Sequence, residues 1–135
     1  MKITGGCHCG QLRYEAEVDP DRAMICHCAD CQRISGSAYR PILPVSEDNF
    51  TVVSGEPKSY VKTADSGNLR PQIFCAECGS HIYATSTDPH PRMFNIRLGT
   101  VDQRDQLPPR KQIWTRSAQP WASNIEELPG LEEQS

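Results

Sequence analysis

At 135 residues, with 37% hydrophobic and 7% aromatic content, the chain has the length for one hydrophobic core, and a thin one. Its net charge of −3 offers no polybasic footprint for nucleic acid or anionic lipid. No apolar run approaches the roughly 18 residues a membrane span needs, and "MKITGGCHCG" at the N-terminus lacks a signal peptide's apolar stretch, which points to a cytoplasmic protein.

In chain order, the first clear element is "QLRYEAEV" (11–18), which sets Leu12, Tyr14, Ala16 and Val18 on one face and Gln11, Arg13, Glu15 and Glu17 on the other. This period of two marks a half-buried strand, and "DPD" ends it. "CADCQRIS" can make a short helical turn, but no window carries a helical stripe over three turns. Strand-like runs follow at "AYRPILPV" (38–45), "FTVV" (50–53), "SYVK" (59–62), "QIFC" (72–75), "HIYAT" (81–85), "MFNIRL" (93–98) and "QIWT" (112–115). Turn clusters such as "SGEP", "DSGN" and "TDPHP" separate them. Many short strands at fairly even spacing predict a mainly β domain over residues 1–128, followed by an acidic tail over 129–135. Trp114 and Trp121 are expected to pack into the core or a pocket, with a contact patch for a partner as the alternative.

All seven cysteines lie within three residues of another: Cys7 and Cys9, then Cys26, Cys28 and Cys31, then Cys75 and Cys78. In a reducing compartment such clustering points to metal or catalysis rather than disulfides, and the odd count agrees. In extended backbone, residues two apart face the same way, so Cys7 and Cys9 can chelate while His8 points off. The C-x-x-C of Cys75 and Cys78 turns on Gly79, whose freedom to take positive φ lets the backbone curl about the sulfurs. Two such pairs complete a closed four-thiolate set, the structural kind of zinc site, and compensate for a thin core.

That leaves Cys26, Cys28 and Cys31. Three protein ligands and one exchangeable position is how catalytic zinc sites are built. Another partition joins Cys75 and Cys78 to Cys26 and Cys28, and spacing alone does not exclude it. His8 and His27 sit between chelating cysteines and should point the wrong way; His81 belongs with the last pair or with a strand, and His90 with a surface turn. Asp30 is placed to hydrogen-bond a water at the metal. Zinc on three thiolates is a weak Lewis acid for water but suits a substrate thiol, which loses its proton on coordination. The predicted chemistry is activation of a thiol toward a carbon electrophile. Arg33 and Arg40, with Ser35, Gly36 and Ser37, stand close enough in sequence to steer a substrate, and Arg33 is the candidate partner for a carboxylate.

"GGCHCGQLRY", "CHCADCQRISGSAY", "FCAECGSHIY" and the ending "IWTRSAQPWASNIEELP" together resemble the glutathione-dependent formaldehyde-activating (GFA) family, which includes centromere protein V-like proteins. The resemblance implies small sheets of short antiparallel strands in a tent-like fold with two zinc ions. It implies that Cys7, Cys9, Cys75 and Cys78 hold a structural zinc and that Cys26, Cys28 and Cys31 hold a catalytic one. The activity it implies is that of a carbon–sulfur lyase joining a small thiol, glutathione or a relative, to formaldehyde or another aldehyde. The competing expectation is a non-enzymatic, zinc-stabilised protein-binding module.

Overall fold

The computed structural model describes residues 1–134. Its elements are β1 (Lys2–Gly6), β2 (Arg13–Glu17), β3 (Met24–Cys26), α1 (Ala29–Ser35), β4 (Arg40–Ser46), β5 (Phe50–Ser54), β6 (Pro57–Thr63), β7 (Leu69–Cys75), β8 (His81–Ala84), β9 (Met93–Arg97) and β10 (Lys111–Ile113), with short 3-10 turns between them. The fold is mainly β, as expected.

Two sheets carry it. The first has three strands in the order β1-β2-β5, and the second has seven in the order β10-β3-β4-β9-β8-β7-β6. Every pairing is antiparallel except one: β10 runs parallel to β3, with Lys111 opposite Met24 and Ile113 opposite Cys26. That exception arises because β10 returns to the sheet after a long excursion rather than through a hairpin.

The alternation in β2 is realised, with Leu12, Tyr14, Ala16 and Val18 all buried. They join Ile3 from β1, Leu43 and Val45 from β4, Ile82 from β8, and Phe94 and Ile96 from β9 in a single core. Aromatic rings knit the two sheets together: Tyr14 stacks on Phe50 at 5.0 Å, Phe50 meets Phe94 edge-on at 5.3 Å, and Phe94 stacks on Tyr83 at 4.1 Å. A smaller cluster of Cys26, Cys31 and Ile42 lies apart from this core, with Met24, Cys28 and Ile113 against it.

The single α-helix among the described residues is α1, which spans seven residues. It starts on an unusual cap: the Cys28 Sγ accepts the Cys31 backbone N–H at 3.2 Å, the place serine or aspartate normally takes. It stops at Gly36, whose φ of 68° is the left-handed conformation glycine tolerates.

Trp114 and Trp121 do not enter a core or pocket; they are 50% and 54% exposed. The chain turns left-handed at Trp114 (φ 57°), which ends β10. The Arg116 guanidinium lies over the outward ring at 4.9 Å. Residues 126–134 are exposed, and Ser135, the end of the expected tail, lies outside the described residues. No helix is long and apolar enough to cross a membrane.

Candidate metal centres and the adjoining cavity

The Sγ atoms of Cys7, Cys9, Cys75 and Cys78 lie within 4.8 Å of one another. The end of β1 delivers the first pair through a turn in which Gly10 (φ 84°) donates to the Cys7 carbonyl at 3.2 Å. The end of β7 delivers the second through a turn in which Gly79 (φ 76°) donates to the Cys75 carbonyl at 2.9 Å. Cys7 and Cys9 sulfurs are 3.5 Å apart, and Cys9 and Cys75 sulfurs 3.8 Å. A tetrahedral ion with metal–sulfur bonds of about 2.3 Å sets its sulfurs about 3.8 Å apart, so these side chains fit one. Sulfurs and backbone are also tied directly, the Leu12 N–H reaching the Cys7 Sγ at 3.2 Å.

Four thiols this close cannot all ionise unaided. The Ser80 hydroxyl and amide hold Cys78 down to about 5. Cys9 goes the other way. Although the Gln11 backbone lowers it, the contact with Cys7 and burial push it up to about 12. A bound dication removes that conflict, because it favours the thiolate at every ligand.

Cys26, Cys28 and Cys31 form the second set, again with sulfurs within 4.8 Å. Cys26 closes β3, Cys28 caps α1, and Cys31 sits in its first turn. Of the two partitions left open by spacing, this arrangement realises the one that keeps the triplet together. Hydrogen bonds from Cys26 and Cys28, then the charge of Arg40, hold Cys31 down to about 2; Cys26 is pushed far up by Cys28 and Cys31. Arg40 Nη2 donates to the Cys31 Sγ at 3.2 Å. The arginine touching this set is thus Arg40, while Arg33 is exposed.

No histidine joins either set among the described residues. His27 is buried and directed away, its Nε2 paired with Gln112 Oε1 at 2.7 Å. His8 is exposed, and His90 pairs with Glu47 at 2.8 Å on the surface. Asp30 does not turn toward the cysteines, because Lys62 Nζ holds its carboxylate at 2.6 Å. Gln32 of α1 fastens the C-terminal segment, donating to Ser117 O at 2.9 Å and accepting from Gln119 Nε2 at 2.8 Å.

Beside the triplet lie two adjoining cavities that share Gly79 and His81. One, of about 340 Å³, is walled by Ser35, Arg40, Pro41, Arg97 and Gly99. The other, of about 410 Å³, is walled by Arg33, Ile34, Tyr60, Gln72 and Phe74. Burial, then the charges of Arg40 and Arg97, lower the pKa of His81. The sequence singles out neither Gln72 nor Arg97, and it places His81 with the last cysteine pair or in a strand; His81 opens β8 and also lines both cavities. An arginine set among the alternating Phe94, Ile96 and Leu98 of "MFNIRL" is the available signal.

A Halomonas elongata protein named "Putative glutathione-dependent formaldehyde-activating enzyme" is 26% identical over 116 residues, covering 82% of this chain and 73% of the relative. A Rhodobacter sphaeroides protein of known crystal structure superposes with a TM-score of 0.61 at 19% identity, over 81% of this chain and 98% of that one, and so shares the fold. The sequence model described as "Glutathione-dependent formaldehyde-activating enzyme" matches residues 2–117, and by that match the chain belongs to the GFA family.

Proposed function

We propose that the protein is a zinc-dependent carbon–sulfur lyase that adds a small thiol, glutathione or a relative, reversibly to formaldehyde or another aldehyde. The observation that carries the reading is a set of three cysteines, Cys26 and Cys31 buried and Cys28 partly so, whose sulfurs converge next to Arg40 on the wall of a cavity with cationic side chains. Cys7, Cys9, Cys75 and Cys78 would hold a structural zinc, and Cys26, Cys28 and Cys31 a catalytic one. Zinc on three thiolates supplies a soft Lewis acid that favours the ionised form of a substrate thiol.

The remaining work falls to the chain itself. Arg40 donates to the Cys31 sulfur and places positive charge beside the three-cysteine set. His81, whose pKa is lowered by burial and then by the charges of Arg40 and Arg97, lines the cavity as the group to take a proton from the thiol and return it. In the balanced reaction the S–H proton leaves, a carbon–sulfur bond forms at the carbonyl carbon, and the oxygen gains the proton as a hydroxyl. Arg33, on the wall of the larger cavity, is available to a substrate carboxylate. Seven unpaired thiols suit the reducing cytoplasm.

Metal analysis with exchange NMR tests this. The purified protein should carry two zinc ions and accelerate exchange between glutathione and its hydroxymethyl adduct. Cys31→Ser should lose one zinc and the acceleration, yet keep its dispersed spectrum. Unfolding of that variant, or no acceleration with any thiol and aldehyde, would leave a zinc-stabilised binding module instead.

A further inference from the structure

Arg40 and Arg97 are only 6% and 8% exposed, and neither guanidinium meets a carboxylate among the described residues. Burying charge without a counter-ion is costly, so structures normally pair such groups. Here the partners are sparse. Arg40 reaches Cys31 Sγ at 3.2 Å and Gln72 Oε1 at 3.4 Å. Arg97 makes one side-chain hydrogen bond, from Nη2 to that same Gln72 oxygen at 3.1 Å. The Nε atoms of both are buried without any partner.

The arrangement is held in place rather than loose. Gln72 is itself buried, and its Nε2 donates to Arg70 O at 3.0 Å, which fixes the amide oxygen toward the two guanidinium groups. Arg97 closes β9 and Arg40 opens β4, the two strands pairing antiparallel with Ile42 opposite Arg97. Both line the cavity of about 340 Å³, with His81 and Ser35. Burial, then Arg40, lowers Arg97 to about 10, so it is still charged at neutral pH.

Charge counting separates the two roles. Three thiolates and a dication sum to −1, which Arg40 offsets through Cys31. Arg97 remains without an anion. From this cavity, its buried cations and their missing partner, we infer that Arg97, with Arg40, is the binding site for a carboxylate of the substrate. A planar guanidinium with free N–H groups suits a carboxylate better than it suits any neutral group. Formaldehyde carries no charge and would leave this site unused. The carboxylate therefore belongs either to the thiol or to an aldehyde larger than formaldehyde. The inference rests on the proposed thiol–aldehyde reading for the words "of the substrate"; the anion site stands on geometry alone.

Calorimetric titration of the zinc-loaded, full-length protein distinguishes the sources. The probes are matched pairs: glutathione against its diethyl ester, in which both carboxylates are masked, and glyoxylate against glycolaldehyde. In at least one pair the carboxylate form should bind about tenfold or more tightly, as expected of a charged hydrogen-bonded contact, and that pair names the source. Arg97→Met should bring the pair to within about twofold while the zinc content stays at two. Arg97→Lys, which keeps the charge, should retain part of the preference. The wild-type comparison needs no variant to fold. Equal binding within both pairs overturns the inference, as does a preference that survives Arg97→Met. If Arg97→Met weakens charged and neutral probes alike, Arg97 serves the thiolates and the inference again fails. A carboxylate preference without accelerated exchange sinks the proposed reaction and leaves the anion site standing; accelerated exchange without the preference does the reverse.

Discussion

Glu47 shows how one side chain on this surface converts geometry into pH dependence. Its carboxylate accepts from the Arg92 backbone N–H, from Arg92 Nε at 3.1 Å and Nη2 at 3.0 Å, and from His90 Nδ1 at 2.8 Å. Arg92 above all holds it down to about 2, whereas an unfolded glutamate titrates near about 4.3. Between those values the unfolded chain binds more protons. The contribution is therefore complete above the unfolded value and disappears as pH falls toward 2. Acid also protonates the cysteines, so the informative quantity is the difference between the wild type and Glu47→Gln. The melting-temperature gap should be constant above about pH 5 and close on the way to pH 2. A gap as wide at pH 3 as at pH 6 would show that Glu47 acts by packing and not by charge.

The β1–β2 hairpin decides whether Cys7 and Cys9 arrive at their site. Lys2 opposes Glu17 and Gly6 opposes Arg13 along it, and Gly5 also bridges to Val101. A Cβ on Gly5 would run into the Tyr14 hydroxyl and the Thr100 carbonyl. That hydroxyl bonds Thr100 Oγ1 at 2.8 Å, so neither neighbour gives way cheaply. Gly5→Ala should cost about 1–3 kcal/mol, the usual penalty of overpacking, measured by denaturant unfolding with Gly130→Ala, in open space, as the neutral control. The same glycines explain why β1 is not legible in the sequence: "KITGG" has too few side chains to write an alternation, while "QLRYEAEV" writes one in full. β3, three residues long, carries no period either. The cysteine spacing announced both ligand sets because ligation by neighbours in sequence is local. Arg97, Gln72 and His81 come from β9, β7 and β8, and only non-local strand pairing brings them to the two adjoining cavities. Bulk and apolarity argue for burial of Trp114, whereas the chain turns left-handed at that residue and leaves it half exposed.

Across the whole molecule the two cysteine sets do different mechanical work. Cys7, Cys9, Cys75 and Cys78 join the three-stranded sheet to the end of β7 in the seven-stranded sheet, across 66 residues between Cys9 and Cys75. Cys26, Cys28 and Cys31 join β3 to the helix that follows it at once. Closing a loop costs entropy that rises with the logarithm of its length, and a cross-link removes that cost from folding. By the relation used for disulfides the long closure is worth about 4 kcal/mol and the short one about 2. Cys78 is exposed and Cys28 only partly buried, so serine at either position takes little from the core. At Cys28 a serine hydroxyl also preserves the helix cap. Cys78→Ser should therefore lose one metal and lower the melting temperature by roughly 10–20 °C, taking a few degrees per kcal/mol for a chain of this size. Cys28→Ser should lose one metal for about half that drop. Calorimetry with metal analysis on both proteins measures the ratio. A fall for Cys28→Ser as large as that for Cys78→Ser would mean that the triplet also holds the fold together, and the division into a structural and a catalytic set would go with it.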